Sequence, residues 1–380
     1  MAKLGEICAF QSGGTPSKNK PEYFGGEIPW ISTTALNGGK INEADAVAWI
    51  TPKAIRESAA KIVPANSIMV GTRVGIGKVA INTVEMSTSQ DVISLIGIDK
   101  DKWYKPYLCK LLLSKKDYFN SQARGATIKG IKIDVVANID VPEIDYATQR
   151  KVAATLNKID TLIVLRKQQL EKLDELIKAR FVEMFGDPVK NTMDWEIKPL
   201  SELGELNRGV SKARPRNSPE LLGGPYPLIQ TGEVANAKTY ITSFNSTYSE
   251  KGLAQSKMWP KGTLCITIAA NIAQTSILTF DACFPDSVVG FISRNMTNEL
   301  FIHYWFSFFQ KILDEQAPQV AQKNINLKIL SELNVIVPPL SLQNRFAAFV
   351  ERVDQQKQTI QQSLEKLELM KKALMQEYCG

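Results

Sequence analysis

The chain has 380 residues, 44% of them hydrophobic, enough to bury more than one core, because single cores stop growing at about 250–300 residues. Its formal net charge of +7 sits mainly in residues 1–142, with 18 Lys and Arg against 13 Asp and Glu, which suits a polyanionic partner for the globular parts. The five scattered cysteines, Cys8, Cys109, Cys265, Cys283 and Cys379, make no disulfide framework or zinc knuckle; with no secretory start and no apolar run near the roughly 18 residues of a membrane span, a cytoplasmic protein is expected.

In chain order, short runs punctuated by glycine and proline predict β segments: Leu4-Gly5-Glu6-Ile7, then Ile28-Pro29-Trp30-Ile31 beyond Gly13-Gly14-Thr15-Pro16-Ser17. The run from Gly71 to Lys78 is glycine-rich but misses the phosphate-loop spacing by one residue and is followed by Val79, so it reads as a turn. A helix is predicted over 105–118. A strand through Ile139 and Val141 is closed by Pro142, which cannot extend a ladder. From about 147 to 185, Val152, Leu156, Ile159, Ile163, Leu170, Leu173, Ile177 and Met184 step by threes and fours, interrupted at Arg166 and Arg180. That spacing predicts one amphipathic helix of roughly 58 Å at 1.5 Å per residue, stopped by Gly186, Asp187 and Pro188.

A second globular stretch echoes the first, with Leu203-Gly204-Glu205-Leu206 and Tyr226-Pro227-Leu228-Ile229, and near its end Lys323, Ile325 and Leu327 match Lys129, Ile131 and Ile133. It contains a predicted helix over 300–314 and ends in Val335-Ile336-Val337-Pro338. A last helix then carries Phe346, Val350, Val353, Ile360, Leu364, Leu367, Leu374 and Tyr378 on one stripe, interrupted at Lys357 and Lys371.

The two long helices repeat each other at a constant offset of 194. Gln149, Ala153, Asp160, Leu170, Glu171, Lys172, Leu173 and Gly186 recur as Gln343, Ala347, Asp354, Leu364, Glu365, Lys366, Leu367 and Gly380. A period this long lies above the solenoid range, so the duplicated unit is a whole domain plus a helix. The expected fold is mixed α/β: two pseudo-symmetric globular domains separated by two long antiparallel coiled-coil helices. The expected helix-pair seam is Leu156, Ile159, Ile163, Leu170, Leu173 and Ile177 against Val350, Val353, Ile360, Leu364, Leu367 and Leu374, with the interrupting Lys and Arg snorkelling to its edge.

Catalytic chemistry is hard to place. A pocket for a flipped adenine of the Asn/Asp-Pro-Pro-aromatic type is missing, because the one Pro-Pro, Pro338-Pro339, lies between Val337 and Leu340. His303 is the single histidine, set among Tyr304, Trp305 and Phe306, so it reads as a core or edge residue, and neither a triad nor a histidine metal cluster can be built.

The order domain, long helix, domain, long helix, with Leu-Gly-Glu-Ile opening the first unit and Gly-Gly-Thr-Pro-Ser ahead of Ile-Pro-Trp-Ile, resembles the specificity subunit of type I restriction-modification systems. The resemblance covers essentially the whole chain, although the second unit has Arg208-Gly209-Val210-Ser211 in place of Gly-Gly-Thr-Pro. It implies target recognition domain 1 at 1–143, spacer helix 1 at 144–194, target recognition domain 2 at 195–339 and spacer helix 2 at 340–380. It further implies a non-enzymatic chain that reads a bipartite site in double-stranded DNA. Two modification (methyltransferase) subunits and motor-nuclease restriction subunits would be its partners. No cofactor or metal is expected on this chain; S-adenosylmethionine and ATP would belong to the partners. Half-sites about one helical turn apart, roughly 34–36 Å, need a stiff spacer, and a helix pair is stiff.

Base reading calls for Arg or Lys against guanine and Asn or Gln against adenine, with further polar groups on phosphate. The candidates in the first unit are Lys18, Asn19 and Lys20, Ser32, Thr33 and Thr34, Arg73 and Lys78, and Arg124, Lys129 and Lys132. In the second unit they are Arg208, Lys212, Arg214 and Arg216, Gln230 and Thr231, Asn271 and Gln274, and Lys323 with Asn326. Arg214-Pro215-Arg216 stands out as a cluster, since proline pre-orders the two guanidinium groups. Many of these residues are equally compatible with a solvated loop. The alternative function is a coiled-coil scaffold joining two protein-binding domains, which would show no salt-dependent DNA affinity.

Overall fold

The structure, a computed structural model, describes residues 1–125, 127, 129–269, 272–308 and 325–380. It divides into two compact units: Met1–Gln168 with Gln361–Gly380, and Gln169–Ile360. The long helices, Tyr146–Phe185 and Leu340–Cys379, each contribute one half to each unit.

Unit 1 holds a five-stranded sheet in the order Ala9–Ser12, Val92–Ile96, Ile68–Gly71, Val79–Asn82, Lys40–Ile41. Its central strands are apolar runs that alternate between two cores with the period of two expected of a strand. Ile68, Val70, Val79, Ile81, Ile93 and Leu95 face a core shared with the helix Lys105–Ser114 and with Val152 and Leu156 of the first long helix. Met69, Ala80 and Val92 face a second core, against Ile31, Val63 and Met86. Those last three come from a four-stranded sheet ordered Ala48–Ile50, Phe24–Ile31, Met86–Thr88, Ile62–Val63.

Unit 2 repeats this plan. Its five-stranded sheet runs Gly204–Arg208, Val288–Ser293, Leu264–Thr267, Thr275–Leu278, Tyr240–Ile241, and its four-stranded sheet Ser246–Tyr248, Leu222–Leu228, Ala282–Cys283, Met258–Trp259. Even an irregularity recurs: strand Phe24–Ile31 slips register between Phe24 and Ile28, and strand Leu222–Leu228 slips between Leu222 and Tyr226. The mixed α/β, two-domain fold predicted from the sequence is the one observed.

One sequence match needs correcting. Leu4–Ile7 is a helical turn, not a strand, and its counterpart is Leu200–Leu203 rather than 203–206. Leu4 N–H donates to the Ile139 carbonyl at 2.9 Å, and Leu200 N–H to the Leu333 carbonyl at 2.9 Å. Both leucines are fully buried, so the turn is fixed by packing as well as by that bond. The helix predicted over 105–118 is broken at Lys115 into Lys105–Ser114 and Lys116–Gln122. The one predicted over 300–314 is described as Glu299–Phe306, and its remainder from residue 309 lies outside the described residues.

The helix segments pair antiparallel inside each unit. In unit 1, Asp160 meets Lys371 at 2.6 Å and Lys167 meets Glu368 at 3.6 Å. In unit 2, Asp174 meets Lys357 at 2.7 Å, and the Phe181 and Phe346 rings lie 5.5 Å apart. Leu156, Ile159, Ile177, Val350, Val353 and Leu364 are buried, and Ile163, Leu170, Leu173, Ile360, Leu367 and Leu374 are half-buried. Snorkelling is the wrong picture for Lys357. Its side chain is only 12% exposed and is held by Asp174 and, at 3.1 Å, by Asp354. Burial pulls this ammonium down, but the Asp174 hydrogen bond and the two carboxylate charges outweigh that and raise its pKa.

Candidate nucleic-acid interface

The frame that presents the loops is fixed by a duplicated glutamine. Gln149, 1% exposed, accepts from Tyr104 N–H at 2.8 Å and donates to the Lys102 and Ile144 carbonyls at 3.0 and 2.9 Å. Gln343, fully buried, accepts from Asn298 N–H at 3.3 Å and from the Thr297 hydroxyl at 2.9 Å. It donates to the Met296 and Pro338 carbonyls at 3.0 and 2.8 Å. Each glutamine satisfies backbone groups that would otherwise be orphaned, and so pins the start of a long helix to the turn ahead of the helix packed on its sheet. The sequence showed the glutamines repeating; the partners 45–47 residues earlier carried no visible signal.

In unit 1 the first candidate loop follows strand Ala9–Ser12. A Cβ on Gly13 would overlap the Ser89 carbonyl and one on Gly14 the backbone of Ala59, so neither position accepts a side chain. The chain therefore lies flat on the sheet edge and leaves Lys18, Asn19 and Lys20 exposed. Lys20 is committed locally, donating to the Tyr23 hydroxyl at 2.9 Å with its ammonium 5.0 Å from the ring centre. After strand Phe24–Ile31, Ser32 and Thr34 share a 2.8 Å hydroxyl hydrogen bond at the surface. Thr33 differs from its neighbours: it is 4% exposed, packed beside Gly71, and as folded presents almost no surface to a ligand.

A second group forms where the hairpin between Ile68–Gly71 and Val79–Asn82 meets Arg124 and residues 130–132. Ile131 N–H donates to the Thr72 carbonyl at 2.8 Å, and Arg124 and Gly130 exchange two backbone hydrogen bonds of 2.9 Å. Arg73, Arg124 and Lys132 thereby line one shallow hollow with Gly130 and Ile131, and Lys129 is exposed next to it in the chain. Arg73 lies 3.8 Å from the Asp91 carboxylate, and Lys78 is exposed at the end of the hairpin turn. Gly71 to Lys78 is indeed a turn, closed by Gly71 N–H to the Lys78 carbonyl at 2.9 Å.

In unit 2, Gly209 occupies the place of Gly13: its N–H bonds Val288 at 2.8 Å as that of Gly13 bonds Val92 at 3.0 Å. The arginines nearby converge on one acid that sequence reading missed. Arg216 reaches Asp286 at 2.6 Å, Arg214 reaches it at 3.8 Å, and Arg208 Nε donates to its backbone carbonyl at 2.9 Å. Arg214 also donates to the Ser211 and Ala213 carbonyls, both at 2.8 Å. The Arg214-Pro215-Arg216 cluster is thus not a free pair of cations, because the carboxylate, seventy residues on, neutralises part of it. Lys212 is exposed.

Gln230 is exposed at the start of the helix Thr231–Asn236, and Thr231 is half-buried there. Gln274 is exposed at the end of the second unit's hairpin turn. Asn326 is exposed, and its side-chain oxygen accepts from Ile329 N–H at 3.0 Å, capping the helix Leu327–Glu332. Asn271 and Lys323 lie outside the described residues.

His303 is half-buried at the edge of the second unit's core. Its Nδ1 is 2.9 Å from the Thr275 hydroxyl, and burial, then the Lys357 charge, push its pKa down to about 4, so it is neutral at pH 7. Among the described residues no group of three or more His, Cys, Asp or Glu is placed to hold a metal ion, and no helix is long and apolar enough to cross a membrane.

Comparison with known families adds to this geometry. A family model described as the type I restriction modification DNA specificity domain matches residues 1–175 and again residues 192–369, once for each half of the duplication. The chain belongs to that family. It is 30% identical over 227 residues to the type I restriction enzyme MjaIX specificity subunit of Methanocaldococcus jannaschii, covering 55% of this chain and 52% of that protein. It is 29% identical over 192 residues to the EcoR124I/EcoR124II specificity subunit of Escherichia coli, covering 46% of each. The matches thus span about half the length of these curated relatives. Among solved structures, the S subunit of a type I restriction-modification system from M. genitalium covers 98% of this chain and 94% of its own, with a TM-score of 0.59 at 16% identity. A chain from a study of complex assembly in a type I system covers 100% of this chain and 96% of its own, with a TM-score of 0.63 at 18% identity. These two share the fold.

Proposed function

We propose that this chain reads a bipartite target in double-stranded DNA, one half-site per globular unit, and directs adenine methylation and restriction by partner subunits while catalysing neither itself. The observation that carries the reading is a duplicated frame bearing different loops. Three backbone partners of Gln149 and of Gln343 correspond at an offset of 194, whereas the exposed loop side chains do not. Equal frames suit two equal modification subunits, and unequal loops suit two different half-sites. S-adenosylmethionine and ATP belong to the partners in this reading, and the complex works on DNA in the cytoplasm.

The test is footprinting and titration of the chain bound to its modification subunits. Two protected blocks separated by a stretch that tolerates sequence change are expected. Affinity should fall steeply with salt, with a log–log slope of about −0.9 per phosphate contacted. A single contiguous, fully sequence-dependent block, or affinity indifferent to salt, contradicts the proposal.

A further inference from the structure

Two hairpin loops occupy the same place in the two units. One joins Ile68–Gly71 to Val79–Asn82, the other Leu264–Thr267 to Thr275–Leu278, both antiparallel. Gly77 N–H closes the first on the Gly71 carbonyl at 3.0 Å, and Ala273 N–H closes the second on the Thr267 carbonyl at 2.8 Å. Residues 77 and 273 are both left-handed, with φ of +74° and +58°. The loop ends therefore correspond at an offset of 196, and the side chains there differ: Arg73 and Lys78 stand where the second unit has Ala269 and Gln274.

The Arg73 side chain is 52% exposed and lies beside Asp91, whose backbone carbonyl also accepts from the Thr72 N–H at 2.8 Å and the Thr72 hydroxyl at 3.1 Å. At 3.8 Å the carboxylate biases the guanidinium by charge without a hydrogen bond, so its planar donor fork stays open to a ligand. That carboxylate repels a charged phosphate more strongly than a neutral pair of acceptors, and guanine presents such a pair, N7 and O6, in the major groove. Gly130, with no side chain, packs against the Arg73 stem. Gln274 is different. Its exposed amide offers a donor and an acceptor without charge, which matches N6 and N7 of adenine and gains little from phosphate.

We infer that Arg73 reads a guanine in one half of the target and Gln274 an adenine in the other, with Asp91 acting as a positioning residue for Arg73. The inference rests on the bipartite-DNA reading above. Arg124 and Lys132, in the same hollow as Arg73, carry the phosphate contacts in unit 1.

The experiment recovers bound sequences from a randomised duplex library using the chain complexed with its modification subunits. Wild type, R73A, R73K, D91N and Q274A are compared. R73A is expected to lose roughly ten- to a hundred-fold preference for a G·C pair at one position of one half-site, leaving the other half unchanged. R73K should lose the same preference yet keep affinity for unrelated duplex, because it retains charge without the planar fork. D91N should relax that same position in part, with an unchanged unfolding temperature; a purely structural Asp91 would instead shift the temperature and leave the motif alone. Q274A should relax one A·T pair in the opposite half. A two-part motif that survives both R73A and Q274A overturns the inference and leaves the bipartite reading standing. So does relaxation at pairs of the wrong type, or in the same half. If wild type returns no two-part motif, the bipartite reading itself fails and takes this inference with it.

Discussion

Unit 1 and unit 2 hold their helix segments by different chemistry on the same backbone. In unit 2 the contact is a cluster of rings. Phe181 stacks on Phe301 at 5.5 Å and meets Phe346 edge-on at 5.5 Å, and Phe185 packs on both Phe301 and Phe346. At the position of Phe301, unit 1 has Tyr107, whose hydroxyl donates to the Tyr378 carbonyl at 2.6 Å. At the position of Tyr304, unit 1 has Lys110, paired with Asp160 at 2.7 Å, which also binds Lys371. Burial would raise the Asp160 carboxyl, but the Lys110 and Lys371 ammonium groups outweigh it and hold it below the usual aspartate range. Duplication has thus kept the backbone bonds that set the frame and let the side chains that fill it change.

The largest test of that contrast is ring deletion. F181A or F346A in unit 2 should cost about 3–5 kcal/mol, measured by denaturant unfolding, because each removes a fully buried aromatic. Y107F in unit 1 removes a single hydrogen bond and should cost about 1 kcal/mol. Equal losses would dissolve the contrast. Next come the duplicated glutamines. Q149L and Q343L each strand buried backbone groups and should each cost about 1–3 kcal/mol, with matching values if the frame is truly shared; a large effect in one and none in the other would break it.

D160N leaves Lys110 and Lys371 without their anion. With Asp160 about one-third exposed, the cost should be about 1–2 kcal/mol after discounting for solvent screening. Because the folded pKa is depressed, this stabilisation is complete above the unfolded value of about 4 and is lost as pH falls below it. D160N should therefore flatten the acid limb of the stability profile, and an unaltered limb would deny the pair its role. The smallest effect concerns the hairpin loops. G77A forces a Cβ into a left-handed site 3.2 Å from Lys116 Cα and the Phe119 ring, and should cost about 1–2 kcal/mol. A273G relaxes the same strain in unit 2 and should be neutral or stabilise by up to about 1 kcal/mol. Opposite signs in a melting experiment are expected of two left-handed positions, one filled by glycine and one by alanine, and equal signs would contradict that.

The helices, their duplication and the two-domain plan were legible because periodicity and repetition are local or exactly spaced signals. Alignment of the first elements was not: Leu-Gly-Glu-Leu at 203–206 imitates Leu-Gly-Glu-Ile, while the true counterpart, Leu200–Leu203, differs at glycine and is identified by its bond to Leu333. The loop residues divide in a similar way. That Arg214 and Arg216 are loop cations was plain, but Asp286 lies too far along the chain to be foreseen. Thr33 looks as polar as its neighbours, and only packing beside Gly71 shows it buried. Asn326 could have been caught, since an asparagine just before a helical Leu327 is a capping signal.

The central claim, two readers on one duplicated frame, is tested most directly by methylome sequencing of cells that carry this chain with the modification and restriction subunits proposed as its partners. The account predicts methylated adenines in a motif of two specific blocks separated by unspecified bases. A contiguous motif, or no motif that depends on this chain, would contradict it.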